Sequence, residues 1–127
     1  MHEDKIGNLL GLNDEDRYSY SIREFVKLEK IWVVSSIESL ITIVDEDGDE
    51  ILPIWPHKEV AILCLPEEFK VEGFSVDYME YEKFKEMCIP DMTSSNVLFG
   101  VFFNKSRAGI AVNGEDLLKD LEVEEDF

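Results

Sequence analysis

"IWVVSSIESLITIVDEDGDEILPIW", from Ile31 to Trp55, decides how this chain folds. Its three apolar runs, 31–35, 39–45 and 51–55, are rich in β-branched and aromatic residues that suit a pleated, half-buried surface. A short polar break at 36–38 separates the first two. "DEDGDE" (45–50) separates the second from the third, and Asp47-Gly48 is a favoured hairpin dipeptide because glycine accepts positive φ without steric cost. The expectation is a three-stranded antiparallel meander over 31–55. Pro53 cannot donate to a ladder, so an edge strand or a bulge is expected there.

Helical patterns flank these strands. In "NDEDRYSYSIREFVKLEK" (13–30), Asn13 suits an N-cap, and Asp14, Glu15 and Asp16 complement the positive end of the helix dipole. Tyr18, Ile22, Phe25 and Val26 recur at i, i+4, i+7 and i+8, which sets them on one face. Arg17, Arg23, Lys27 and Lys30 spread over the remainder. A weaker helix over 4–10 is limited by Gly7 and Gly11. Pro56 suits the first turn of a helix through "HKEVAILCL" (57–65), which Pro66 stops.

Further along, "GFSVDYM" (73–79) is expected as a strand and "YEKFKEMC" (81–88) as a helix ended by Pro90, with "DMTSSN" (91–96) as loop. "VLFGVFF" (97–103) and "AGIAV" (108–112) form a second hairpin. Asn113-Gly114 closes that strand, and "EDLLKDL" (115–121) makes a last helix. The fold class expected is α+β, an antiparallel sheet built from the meander and the second hairpin, with helices packed on it. The 127 residues match one domain, with 1–12 and 122–127 as mobile ends.

Composition narrows the partners. With 29 carboxylates against 12 basic residues, the formal charge is −17, which disfavours nucleic acid and anionic membrane surfaces and steers toward basic proteins. No apolar run approaches the roughly 18 residues of a membrane span, and "MHEDKIGNLLGL" lacks the basic and apolar regions of a signal peptide. A cytoplasmic protein is expected, with Cys64 and Cys88 as buried thiols.

Chemistry-bearing motifs are sparse. "DEDGDE" fails as an EF-hand because Gly48 comes too early and Pro53 and Trp55 occupy the later positions, leaving an exposed hairpin tip. His57 has no zinc-ligand spacing around it, and no cofactor is implied. His57 and Cys64 share a helix face, but two turns, about 10 Å of rise, separate them beyond a direct hydrogen bond. No nucleophile elbow, dinucleotide fingerprint or phosphate loop appears. The candidate that remains is "IWPHKE" (54–59), either a strand-to-helix corner with a buried tryptophan or the lining of a pocket for a ligand or partner chain.

"DRYSYSI" (16–22), "IWVV" (31–34), "DEDG" (45–48) and above all "LPIWPHKEVA" (52–61) together resemble the family of small bacterial proteins called domain of unknown function 2750. "PIWPH" is the specific part, and Ser21 and Ile22 stand where the family pattern has an aromatic. The resemblance implies a compact α+β bacterial cytoplasmic domain, with no assigned activity and no catalytic residue to carry over. It makes Trp55, Pro56 and His57, with Trp32 of the first strand, the binding residues to test.

The residues favour a non-enzymatic module that binds a basic protein through its acidic surface, in one form an immunity-type protein that occludes a toxin's cationic active site. The alternative expectation is a small-molecule binder or minor enzyme with a pocket near Trp55 and His57.

Overall fold

The computed structural model describes residues 1–37 and 39–127. Two helices open the chain, α1 (Glu3–Leu10) and α2 (Asp14–Leu28). Asn13 caps α2 by accepting from the Asp16 amide at 2.8 Å. The expected apolar stripe is present, with Ile22 and Phe25 buried and Tyr18 and Val26 partly so. Helix α2 ends where Glu29 turns left-handed at φ 58° and the chain enters β1 (Lys30–Ser35).

The expected meander is corrected here. Strand β1 pairs antiparallel along its length with β4 (Ser75–Glu80), from Lys30–Glu80 to Ser35–Ser75. It meets the next run only at its end, in an antiparallel bridge of Ser35 with Leu40 and a 2.8 Å bond from the Ile41 amide to the Val34 carbonyl. Of the run 39–45, only β2 (Ile43–Val44) enters a ladder, antiparallel to β3 (Glu50–Ile54). The chain folds back directly after β1, with the Ser36 amide donating to the Ser39 carbonyl at 2.8 Å, and this turn closes the short bridge to the next run. Within the expected break at 36–38, Glu38 lies outside the described residues.

Strand β3 then pairs parallel with β5 (Leu98–Val101), which pairs antiparallel with β6 (Ile110–Val112). The second sheet is therefore mixed, in the order β2-β3-β5-β6, rather than purely antiparallel. The physical reason is burial. "ILPI" and "LFGV" are continuous apolar runs, and all but Leu98 of these residues are buried, as suits interior strands covered on both faces.

Pro53 thus sits in an interior strand, not at an edge. Trp55 exchanges both backbone hydrogen bonds with Trp32, at 2.9 and 3.0 Å, which joins the two sheets. Strand alternation turns the amide positions of residues 51, 53 and 55 toward that same side. There Ile51 faces β2 and Trp55 faces β1, so the missing N–H of Pro53 falls in the gap between the two partners.

Further helices complete the fold. Helix α3 (Lys58–Leu63) follows the corner, and Pro56 precedes it rather than entering its first turn. Residues 81–94 form one helical segment, α4 (Tyr81–Lys83), a π turn (Phe84–Cys88) and α5 (Ile89–Ser94). The expected stop at Pro90 does not occur. The Ile89 amide reaches back five residues to the Phe84 carbonyl, and this widened turn lets the segment run on through proline.

Helix α6 (Gly114–Glu125) closes the core, with Leu117 and Leu121 fully buried. Asn113 is its N-cap, accepting from the Asp116 amide at 2.9 Å, so Asn113-Gly114 both closes β6 and starts the helix. At Gly114 a Cβ atom would lie 2.0 Å from the Thr93 hydroxyl, which sets the close approach of α6 to α5. The terminal stretches 1–12 and 122–127 contain α1 and the last turn of α6, where Glu125 accepts from Tyr81 at 2.7 Å and from Lys85.

One hydrophobic cluster runs through these layers, with Phe25, Trp55, Phe84, Phe99 and Phe102 fully buried. Arg17, one of the cations placed off the apolar face of α2, is buried. Its guanidinium donates to the carbonyls of Leu12, Phe102 and Ala108 and pairs with Asp14. It ties the start of α2 to the loop after β5.

Candidate functional site

The corner after β3 sends its three conspicuous residues in different directions. Trp55 is fully buried, and its indole N–H donates to the Phe103 carbonyl at 3.1 Å. Pro56 is buried beside it. His57 is the N-cap of α3 in extended conformation and makes no side-chain capping bond, which leaves its imidazole to reach across to α2.

There His57 Nε2 lies 2.6 Å from the Tyr20 hydroxyl and 3.5 Å from a Glu24 carboxylate oxygen, and that carboxylate is 3.3 Å from the hydroxyl. A phenol has one hydrogen to give. The tautomer with a proton on Nε2 satisfies the trio, Nε2–H donating to the phenol oxygen and the phenol to Glu24. Burial holds the imidazole below its usual pKa, against the pull of Glu24. Burial and then Glu24 push the Tyr20 phenol up to about 12. Both rings are therefore neutral near pH 7.

Trp32 lies half-buried on the outer face of β1 with its ring edge against Tyr78, the centroids 5.4 Å apart. Lys58 approaches the Trp32 ring at 6.0 Å, and Lys30 covers Tyr78 at 4.6 Å. The four sequence candidates thus share one backbone junction but not one surface. Trp55 and Pro56 face the core, His57 faces α2, and Trp32 faces β4. Among the described residues, the walls of the main surface concavities include none of the four.

Cys64 and Cys88 are both buried, and burial pushes their thiols up to about 11 and about 12. Among the described residues, no three His, Cys, Asp or Glu side chains are grouped to hold a metal ion. No helix there is long and apolar enough to cross a membrane.

The carboxylates have a definite distribution. In the hairpin tip, Asp45 accepts from the amides of Asp47 and Asp49 at 3.0 and 2.9 Å, and Gly48 takes φ 85°. Around it Glu46, Asp47, Asp49 and Glu50 are all exposed. Asp49 and Glu115 of α6 wall the same concavity, of about 430 Å³. Farther along α6, Asp120 accepts from the Tyr18 hydroxyl and Glu125 from Tyr81. Burial first and these carboxylates second hold both phenols above their ordinary pKa.

Sequence reasoning missed Tyr20 and Glu24. They stand at i and i+4 on α2, a spacing that places them together, but only the fold brings His57 to them. The meeting of the hairpin tip with α6 was equally out of reach, because it depends on the unexpected parallel pairing of β3 with β5.

No curated protein and no solved structure gives a significant match to the chain. The family model described as protein of unknown function DUF2750 matches residues 18–121, which takes in most of α2, every strand and most of α6. The chain belongs to this family.

Proposed function

We propose that this protein is a non-enzymatic, acidic binding module for a basic protein, one form being immunity-like neutralisation of a cationic active site. A bacterial cytoplasmic setting is part of the same proposal. The observation that carries it is the convergence of two acidic segments, remote in sequence, on one concavity walled by Asp49 and Glu115. The field of surplus carboxylates steers a cationic partner and adds specificity at the contact.

The test is capture from native cell extract by tagged protein at low and high salt, beside an Asp47→Asn/Asp49→Asn/Glu115→Gln variant. A basic protein retained by the wild type, lost at high salt and lost by the variant supports the proposal. A complex indifferent to both salt and the substitutions overturns it, because exposed ion pairs are screened.

The Tyr20–His57–Glu24 trio favours a second reading, a small-molecule binder or minor enzyme at the corner. A metabolite that shifts the Trp fluorescence of the wild type, but not of His57→Ala, would support it. A broad metabolite screen that moves neither fluorescence nor melting temperature would remove it.

A further inference from the structure

Three of the four methionines lie within the stretch 79–92, and the fold gathers them. Met79 of β4, Met87 of the π turn and Met92 of α5 line one concavity of about 570 Å³, together with Leu40, Cys88 and Pro90. Met87 is 62% exposed, so its thioether is open to a partner where it meets the other two methionines. Methionine is unbranched and polarisable, so a methionine-lined surface adapts to differently shaped apolar side chains.

The concavity continues beyond these residues. Leu40, Met79 and Lys83 also wall a second one, of about 510 Å³, that runs along β4. Across α5, on the side of Thr93, lies the concavity of Asp49 and Glu115. Among the described residues, Asp91, Asp77 and Glu80 stand against the single cation Lys83 on the walls of the two methionine-side concavities. An apolar floor between carboxylates, on a protein of charge −17, is complementary to apolar side chains flanked by Lys or Arg.

We infer that this groove is the docking site for a cationic amphipathic segment of the basic partner, whose large apolar side chains seat against Met79, Met87 and Met92. The inference rests on the binding-module proposal and names the surface it uses. Adaptable, methionine-rich grooves receive amphipathic segments in this way.

The test uses protein labelled with ¹³C at the methionine methyls and three peptides. One is a Leu/Lys amphipathic peptide, one carries Ser in place of Leu, and one carries Glu in place of Lys. The expected result is that the Leu/Lys peptide alone shifts the methyls of Met79, Met87 and Met92 and leaves Met1 unmoved. Met87→Gln should then weaken binding by about tenfold, with the melting temperature unchanged because the side chain is exposed.

If the Leu/Lys and Ser/Lys peptides bind equally and no methionine in the groove moves, the docking site is overturned while the acidic-module proposal stands. If neither binds, the docking site is overturned, and the capture experiment decides the acidic-module proposal by itself. Methyl shifts that grow with protein concentration alone would assign the groove to a second copy of this chain and overturn the inference. Equal binding of the Glu-containing peptide would also overturn it, since charge would then play no part.

Discussion

The corner at 54–58 and the groove along 81–94 use their side chains in opposite ways. At the corner, every conspicuous group is spent internally. Trp55 is sealed in the core with its N–H satisfied, and His57 is closed against Tyr20 and Glu24. In the groove, residues that look ordinary in sequence leave apolar surface uncovered, Met87 most of all. A tryptophan or histidine draws the eye because it is rare, yet rarity and availability are separate properties. A surface open to a partner is made by what the fold leaves over.

The comparison breaks if the corner proves dispensable. Trp55→Ala removes a fully buried ring and strands the Phe103 carbonyl, so a loss of about 3–5 kcal/mol in stability is expected. Urea unfolding with an unchanged slope is the measurement, and a loss under about 1 kcal/mol would sink the structural account of the corner.

Arg17→Met should come next, at about 3 kcal/mol, because it deprives the carbonyls of Leu12, Phe102 and Ala108 of their buried donor. A matched Met87→Gln variant sharpens the contrast, with a change within about 0.5 kcal/mol expected for an exposed position.

A smaller effect follows from His57. Its folded pKa lies below the ordinary 6.5, so folding favours the neutral ring. That contribution is fully present above pH 6.5 and is lost as pH falls through the folded value. Stability measured between about pH 7 and pH 5 should decline in the wild type, and part of that decline should vanish in His57→Gln. Glu24 and Glu59 draw the imidazole up and Lys5 draws it down, so a Glu24→Gln variant should steepen the decline.

The smallest effect concerns salt. Exposed pairs such as Lys70–Glu67 and Arg107–Glu68 contribute little, whereas the surplus carboxylates repel one another across the surface. Modest salt should raise the melting temperature. A fall would mean that specific ion pairs outweigh the repulsion.

Local signals were legible in sequence and long-range pairings were not. Asn13 announced the start of α2, and Gly48 marked the turn of the acidic hairpin, because caps and turns are settled by neighbouring residues. The partner of β1 lies far downstream, and no local pattern distinguishes β4 from the nearer run. The apolar stretches of β3 and β5 were read as meander and hairpin strands, with Pro53 pointing to an edge, whereas the two pair parallel in the interior. Only the gap between β2 and Trp32 reconciles Pro53 with that place. Of the candidate site, the corner itself was readable. The burial of Trp55, the reach of His57 to Tyr20 and the gathering of the methionines all depended on the assembled fold.

The most direct measurement is a map of backbone amide shifts as the Leu/Lys amphipathic peptide is added to isotopically labelled protein. Perturbations concentrated at 45–50, 77–92 and 113–116, with residues 54–58 unmoved, are the result expected if recognition lies on the acidic, methionine-lined side. Perturbations centred on Trp32, Trp55 and His57, with the methionine groove silent, would contradict that account and return function to the corner.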